Sequence, residues 1–177
     1  MPWIQNISLR DIQQGFHYDP GVNAMLIQIV DPGTPFPEPK YQFREKHQFA
    51  FLDIEANDYS IDEAWRCSQT QADELVRLLQ HALDNSMNVV VHCHAGVCRS
   101  GAVCEVGVVM GFQDTDAFRS PNLLVKHQML TSLGLHYNAN EKHSINGQEL
   151  TQDWTNDNEK VFTLAAARRE RRLTKLE

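Results

Sequence analysis

Four residues able to bind a metal or attack an electrophile stand within seven positions of the stretch VVVHCHAGVCRSGAV: His92, Cys93, His94 and Cys98. Three chemistries compete for them: a zinc site, a redox pair, and a nucleophile wrapped around an anion. A structural zinc site takes four ligands at tetrahedral angles, usually as pairs spaced about two to four residues apart. His92, Cys93 and His94 are consecutive, so their side chains diverge and do not all reach one ion. Cys67 and Cys104 have no companions at ligand spacing that would supply a second pair. No metal and no cofactor are expected.

The anion reading draws on more of the stretch. A strand ending at Val91-His92 runs into a loop, Cys93 to Arg99, and an apolar helix begins near Ser100. A loop between a strand end and a helix N-terminus turns successive backbone N–H groups toward one point, and the helix dipole adds partial positive charge there. Gly96 lets such a loop close tightly, because glycine reaches backbone conformations that other residues avoid. Arg99 brings a planar, permanently charged fork that matches two phosphate oxygens. Cys93 opens this cradle. The field that holds a phosphate dianion also stabilises a thiolate, and a thiolate beneath a bound phosphoryl group is an in-line nucleophile.

The elements needed to position such a loop are legible on either side of it. IQNISLRDI, AMLIQIV and HQFAFLDIE carry the β-branched and aliphatic residues of strands. Thr70 precedes an apolar series at Ala72, Leu75, Val76, Leu79, Ala82 and Leu83, the spacing of an amphipathic helix, with Thr70 and Asp73 placed as its N-terminal cap. That helix should stop near Asp84-Asn85-Ser86. NVVVH follows as a continuously apolar strand of the kind buried on both faces of a parallel sheet. Strand, helix, strand in this order predicts a right-handed crossover and an α/β fold, a central mostly parallel sheet flanked by helices. Gly101 to Gly111 is small and apolar all round, as a buried helix would be. Ser120-Pro121-Asn122 opens another helix, with Ser120 as cap and Pro121 at its first position, and Gly134 ends it. DPGTPFPEPK, residues 31–40, holds four of the seven prolines and reads as a surface loop.

With 177 residues the chain is expected to form one domain. Its core would span about residues 1–134, followed by a polar segment and a basic C-terminal helix in 135–177. An apolar fraction of 42% with 22% charged residues excludes extended disorder over most of the chain. A net charge of −7 argues against general binding to nucleic acid or anionic membrane, both polyanions, while leaving room for a local anion site. The N-terminus lacks the features of a secretory signal, and four cysteines without one read as free thiols of a reducing compartment, so a cytoplasmic location is expected. Composition assigns no oligomeric state.

HCHAGVCRSG resembles the HCxxGxxRS signature of cysteine-dependent protein phosphatases, the tyrosine and dual-specificity group. FLDIEAND upstream is similar to the strand and turn that carry the general acid in dual-specificity phosphatases, and SPNLLVKHQML downstream resembles the SPN-started helix of the MAP kinase phosphatases. The resemblance implies a small protein-tyrosine-phosphatase-like domain acting on a phosphoprotein or phosphopeptide. Cys93 would become a cysteinyl-phosphate, while Arg99 and the amides of His94, Ala95, Gly96, Val97, Cys98 and Arg99 bind the equatorial oxygens. Ser100 would assist thiolate departure, and His92 would orient the loop by hydrogen bonds. Asp58, just past the strand end, takes the family position of the general acid. Asp62 stands next as a residue near a helix start, and Asp53 as the solvent face of a strand.

Cys98, five residues after the nucleophile, matches the CxxxxCRS arrangement of low-molecular-weight tyrosine phosphatases, where the second cysteine traps an oxidised nucleophile. It reads equally as a small residue packed under the loop. His94 is placed either to meet substrate or to face solvent. Trp65 and Tyr59 are candidates to flank a phosphotyrosine ring, with packing as their alternative role. The same loop serves RNA 5′-triphosphatases and phosphoinositide phosphatases, but those carry added basic residues, whereas His94, Ala95, Val97 and Cys98 include no lysine. A non-catalytic phosphate-binding module would lack the cysteine, the arginine or the acid, and this chain has all three.

Overall fold

The computed structural model describes residues 1–55 and 63–135. Five strands, β1 (Trp3–Ser8), β2 (Ala24–Val30), β3 (Glu45–Ala50), β4 (Asn88–Cys93) and β5 (Gln113–Asp114), form one sheet in the order β3-β2-β4-β1-β5. Every pairing is parallel. Among the described residues the α-helices are α1 (Leu9–Gln14), α2 (Gln69–Asp84), α3 (Arg99–Met110) and α4 (Leu123–Ser132). The expected α/β architecture is present.

Both faces of the sheet are covered, which is why β2 and β4 are continuous apolar runs rather than alternating ones. On one face Met25, Ile27, Ile29, Val89 and Val91 pack with Leu75 and Leu79 of α2, Val103 and Val106 of α3, and Met129 of α4. On the other, Leu26, Val90 and Ile7 meet Ile12 of α1, with Phe43 packed against them. Burying side chains of this size contributes roughly 1.5–3 kcal/mol each before the entropy of ordering them is set against it. Among the described residues no helix is long and apolar enough to cross a membrane.

Four boundaries differ from the sequence expectation, each for a local reason. The cap of α2 is Ser68, whose hydroxyl accepts from the Gln71 amide while the Gln71 side chain accepts from the Ser68 amide, a reciprocal pair that Thr70 cannot form. The cap of α4 is Asn122, accepting from the Val125 amide, so Ser120 and Pro121 precede the helix. Strand β3 ends at Ala50 because its partner β2 ends at Val30, and LRDI folds into α1 instead of extending β1. The basic C-terminal helix expected over VFTLAAARRERRLTKLE, residues 161–177, lies outside the described residues.

Candidate active site

The site lies at the C-terminal ends of the parallel strands, where open α/β sheets present their crevices. Cys93 is the last residue of β4 and is 1% exposed. Its Sγ stands 3.2 Å from the Oγ of Ser100, itself fully buried in the first turn of α3. Residues 94–98 close the gap between β4 and α3, so the predicted strand–loop–helix unit is formed.

The loop's polarity follows from where its carbonyls go. His94 O accepts from the Leu9 amide at 3.2 Å, Val97 O from the Ser120 amide at 3.3 Å, and Cys98 O from the amides of Ala102 at 2.9 Å and Asn122 at 3.1 Å. Gly96 O accepts from Nδ2 of Asn6 at 2.7 Å. In a trans peptide the carbonyl of one residue and the N–H of the next point to opposite sides. With those four carbonyls tied to surrounding structure, the amides of Ala95, Val97, Cys98 and Arg99 face into the loop. The orientation of these amides is thereby fixed by the fold.

Gly96 is what lets the loop lie so close to β1. Its φ is +75°, and a Cβ at this position would stand 2.3 Å from both the Ile7 carbonyl carbon and the Ser8 nitrogen. Those are backbone atoms of the sheet edge of the site and cannot rotate away. Gly96→Ala is therefore expected to destabilise the fold by roughly 2–4 kcal/mol, the sum of left-handed strain and overpacking. Turnover of p-nitrophenyl phosphate should fall by at least about 100-fold, since a shift of about 1 Å in the loop misplaces every donor. Urea unfolding and steady-state kinetics on the same preparation check both parts.

Arg99 is 3% exposed, and a buried guanidinium needs partners because its desolvation costs several kcal/mol. Its Nη1 donates to Asp31 Oδ1 at 2.7 Å and to the Phe51 carbonyl at 2.6 Å. Its Nε is buried and has no partner. A buried donor left open costs about 1–3 kcal/mol, more when charged. The open Nε is a donor that an oxyanion could complete.

His92, which precedes Cys93, is fully buried. Burial takes its pKa down to about 4, with the Cys93 backbone pulling the other way and the Arg99 charge adding to the depression. It is a neutral imidazole at physiological pH. Neither ring nitrogen has a hydrogen-bond partner of good geometry. His94 and Ala95 are exposed at the mouth.

Cys98 is half-buried at the N-terminus of α3. Burial, and the Asp53 carboxylate beside it, push its thiol up to about 11. Cys67 is pushed up to about 12 by burial, and Cys104 is raised by the same cause. All four cysteines are free, with no disulfide among them. Asp53 is an exposed residue whose Oδ1 accepts from Nδ2 of Asn122 at 2.8 Å, and the same Asn122 nitrogen donates to the Ile54 carbonyl at 3.1 Å. Asn122 thus fastens the segment leading to Asp58 against Cys98. Asp58, Tyr59 and Asp62 lie outside the described residues, whereas Trp65 is 44% exposed and its carbonyl accepts from the Leu52 amide at 2.8 Å.

Sequence reasoning missed Asp31, Asn6, the Phe51 carbonyl and the true role of Asn122. Asp31 alone carried a signal: an acid at the carboxyl end of a buried parallel strand.

The match to a known family coincides with these parts. A family model described as a polymorphic toxin system DSP-PTPase phosphatase covers residues 40–110, from before β3 to the end of α3. None of the curated proteins compared matches the chain. Among solved structures, a mouse putative dual specificity phosphatase complexed with zinc tungstate has a TM-score of 0.47 at 15% identity, over 78% of this chain and 84% of that one. Human DUSP28 has a TM-score of 0.44 at 13% identity, over 95% and 96%. OH1 from the Orf virus, a tyrosine phosphatase with triple substrate specificity, has a TM-score of 0.40 at 20% identity, over 62% of this chain and 56% of its own, so the chain spans little more than half of that enzyme. The HCHAGVCRSG loop lies inside the matched residues, so residues 40–110 of this chain are similar to a DSP-PTPase phosphatase.

Proposed function

We propose that this protein is a phosphoprotein phosphatase that hydrolyses phosphotyrosine, with phosphoserine and phosphothreonine as further substrates, through a cysteinyl-phosphate and without a metal ion. The observation that supports it most is the set of loop carbonyls bound outward around Cys93, which leaves inward amides to receive a phosphoryl group above its Sγ. In the first step Cys93 Sγ attacks phosphorus, the S–P bond forms, the P–O bond to the substrate breaks, and Asp58 gives its proton to the departing oxygen. In the second, water attacks phosphorus, Asp58 takes back a proton, and the S–P bond breaks while Ser100 Oγ, 3.2 Å away, hydrogen-bonds the departing thiolate. The guanidinium and the amides supply the positive field for the equatorial oxygens.

Hydrolysis of p-nitrophenyl phosphate in EDTA, followed by phosphotyrosine, phosphoserine and phosphothreonine peptides, tests the reading. Activity on all of these, or on the phosphotyrosine peptide and the aryl phosphate, is the expected result, and strict metal dependence would remove it. Asp58→Asn should cost about 100- to 10,000-fold on peptides, whose leaving oxygens need a proton, and far less on p-nitrophenyl phosphate. The same pattern from Asp62→Asn instead would transfer the acid's role to Asp62.

A further inference from the structure

The proline-rich segment after β2 has a part in the site that its sequence does not announce. Asp31 follows the last residue of β2, and its carbonyl accepts from the Thr34 amide at 2.9 Å. Pro32 and Gly33, with Gly33 at φ +83°, occupy the middle of that turn, the arrangement of a type II turn, so Asp31 is held by a stiff local unit. The rest of the segment is fastened as well. Gln28 Nε2 donates to the Pro37 carbonyl at 2.8 Å from inside the sheet, and the Lys40 amide donates to the Ile12 carbonyl at 2.9 Å. Four prolines further reduce what the segment loses in entropy on folding.

The Asp31–Arg99 pair is unlike a surface ion pair, which contributes about 0–1 kcal/mol. The Arg99 side chain is 4% exposed and the Asp31 side chain 50% exposed, so a buried charge is met at the wall of the site by a carboxylate that keeps its own hydration. Both anchors, Asp31 and the Phe51 carbonyl, use Nη1. A guanidinium binds oxyanions through two parallel N–H bonds along one edge. Anchoring Nη1 alone fixes the plane of the group and leaves the edge made by Nε and Nη2 open. The unpartnered Nε is on that edge. An acid that competed with phosphate for Arg99 would occupy that edge, and Asp31 does not.

We propose that Asp31 is a positioning residue: it acts through Arg99, setting the guanidinium so that its Nε–Nη2 edge faces the phosphoryl group held over Cys93. The inference rests on the phosphatase reading, since it gives Arg99 that ligand.

The test is a double-mutant cycle of Asp31→Ala and Arg99→Ala, read as kcat and KM for p-nitrophenyl phosphate and as calorimetric binding of inorganic phosphate. Asp31→Ala should lower kcat/KM by about 10- to 100-fold, mostly in kcat, and weaken phosphate binding. In the Arg99→Ala background the same change should cost less than about twofold, because its target is gone. Asp31→Asn, which keeps an oxygen acceptor for Nη1, should retain more activity than Asp31→Ala, and it carries the test if Asp31→Ala does not fold. An equal fold-loss with and without Arg99 would mean that Asp31 merely builds the loop, and overturns the proposal. So does wild-type behaviour of Asp31→Ala in a protein that otherwise hydrolyses the substrate through Cys93. A wild-type protein that neither binds phosphate nor hydrolyses the ester overturns the phosphatase reading, and this proposal with it.

Discussion

Cys93→Ser is expected to lower kcat for p-nitrophenyl phosphate by at least about 10,000-fold while binding phosphate nearly as well as the wild type. The two effects separate because the groups assigned to binding are untouched: the amides of Ala95, Val97, Cys98 and Arg99 are held by carbonyl contacts that do not involve the Cys93 side chain. What changes is the nucleophile. A serine hydroxyl at this place would have to be deprotonated to attack, and no base stands ready for it. His92 is neutral, but neither of its ring nitrogens has a hydrogen-bond partner, Cys93 Sγ included. Ser100 Oγ, at 3.2 Å, is another hydroxyl. Losses of about a millionfold follow removal of a nucleophile from a hydrolase in which it acts as part of a unit, so a 10,000-fold fall is a lower bound. No other thiol replaces it, since Cys67, Cys98 and Cys104 are all held in the neutral form by burial, helped at Cys98 by Asp53. Steady-state kinetics in EDTA with phosphate as a competitive ligand measures both effects.

Arg99→Ala should produce a second large loss, about 1,000-fold or more in kcat/KM, of the size seen when a transition-state charge partner is removed. Here binding and turnover fall together, unlike the serine variant. Stability should also fall, because the fully buried Phe51 carbonyl loses its donor, a cost of about 1–3 kcal/mol. Arg99→Lys distinguishes the two consequences. An ammonium placed between Asp31 and the Phe51 carbonyl restores both anchoring contacts, and the fold with them. It has no second edge to offer, so most of the kinetic loss remains. Thermal unfolding and kinetics on the alanine and lysine variants check this. A lysine variant with activity near wild type would show that charge alone, and not the fork, is what the site requires.

The parts of this molecule that were legible in its sequence are those with a local pattern. NVVVH reads as a buried parallel strand because five residues are enough to show an unbroken apolar run. The series from Ala72 to Leu83 reads as a helix because its spacing repeats. The Cys93–Arg99 loop reads as an anion cradle because strand, glycine, arginine and helix follow one another within a few positions. Caps were less accurate: Ser68, Thr70 and Ser120, Asn122 are all competent cap residues, and only the hydrogen bonds decide which one starts the helix. The residues that finish the site left almost no trace. Asn6 reaches Gly96 across 90 positions of chain, Asp31 reaches Arg99 across 68, and Asn122 reaches Asp53 across 69. Contacts at such separations are set by sheet order, which places β1 and β2 on either side of β4, and no periodicity in the sequence encodes them. DPGTPFPEPK, a surface loop by composition, became part of the site for that reason.

The most direct test of the account is a rapid acid quench during turnover of p-nitrophenyl phosphate in EDTA, followed by peptide mapping. Phosphate is expected on the peptide that contains Cys93, present in the wild type and missing from Cys93→Ser. Turnover by the wild type with no covalent phosphate, or with the phosphate on a different residue, would contradict it.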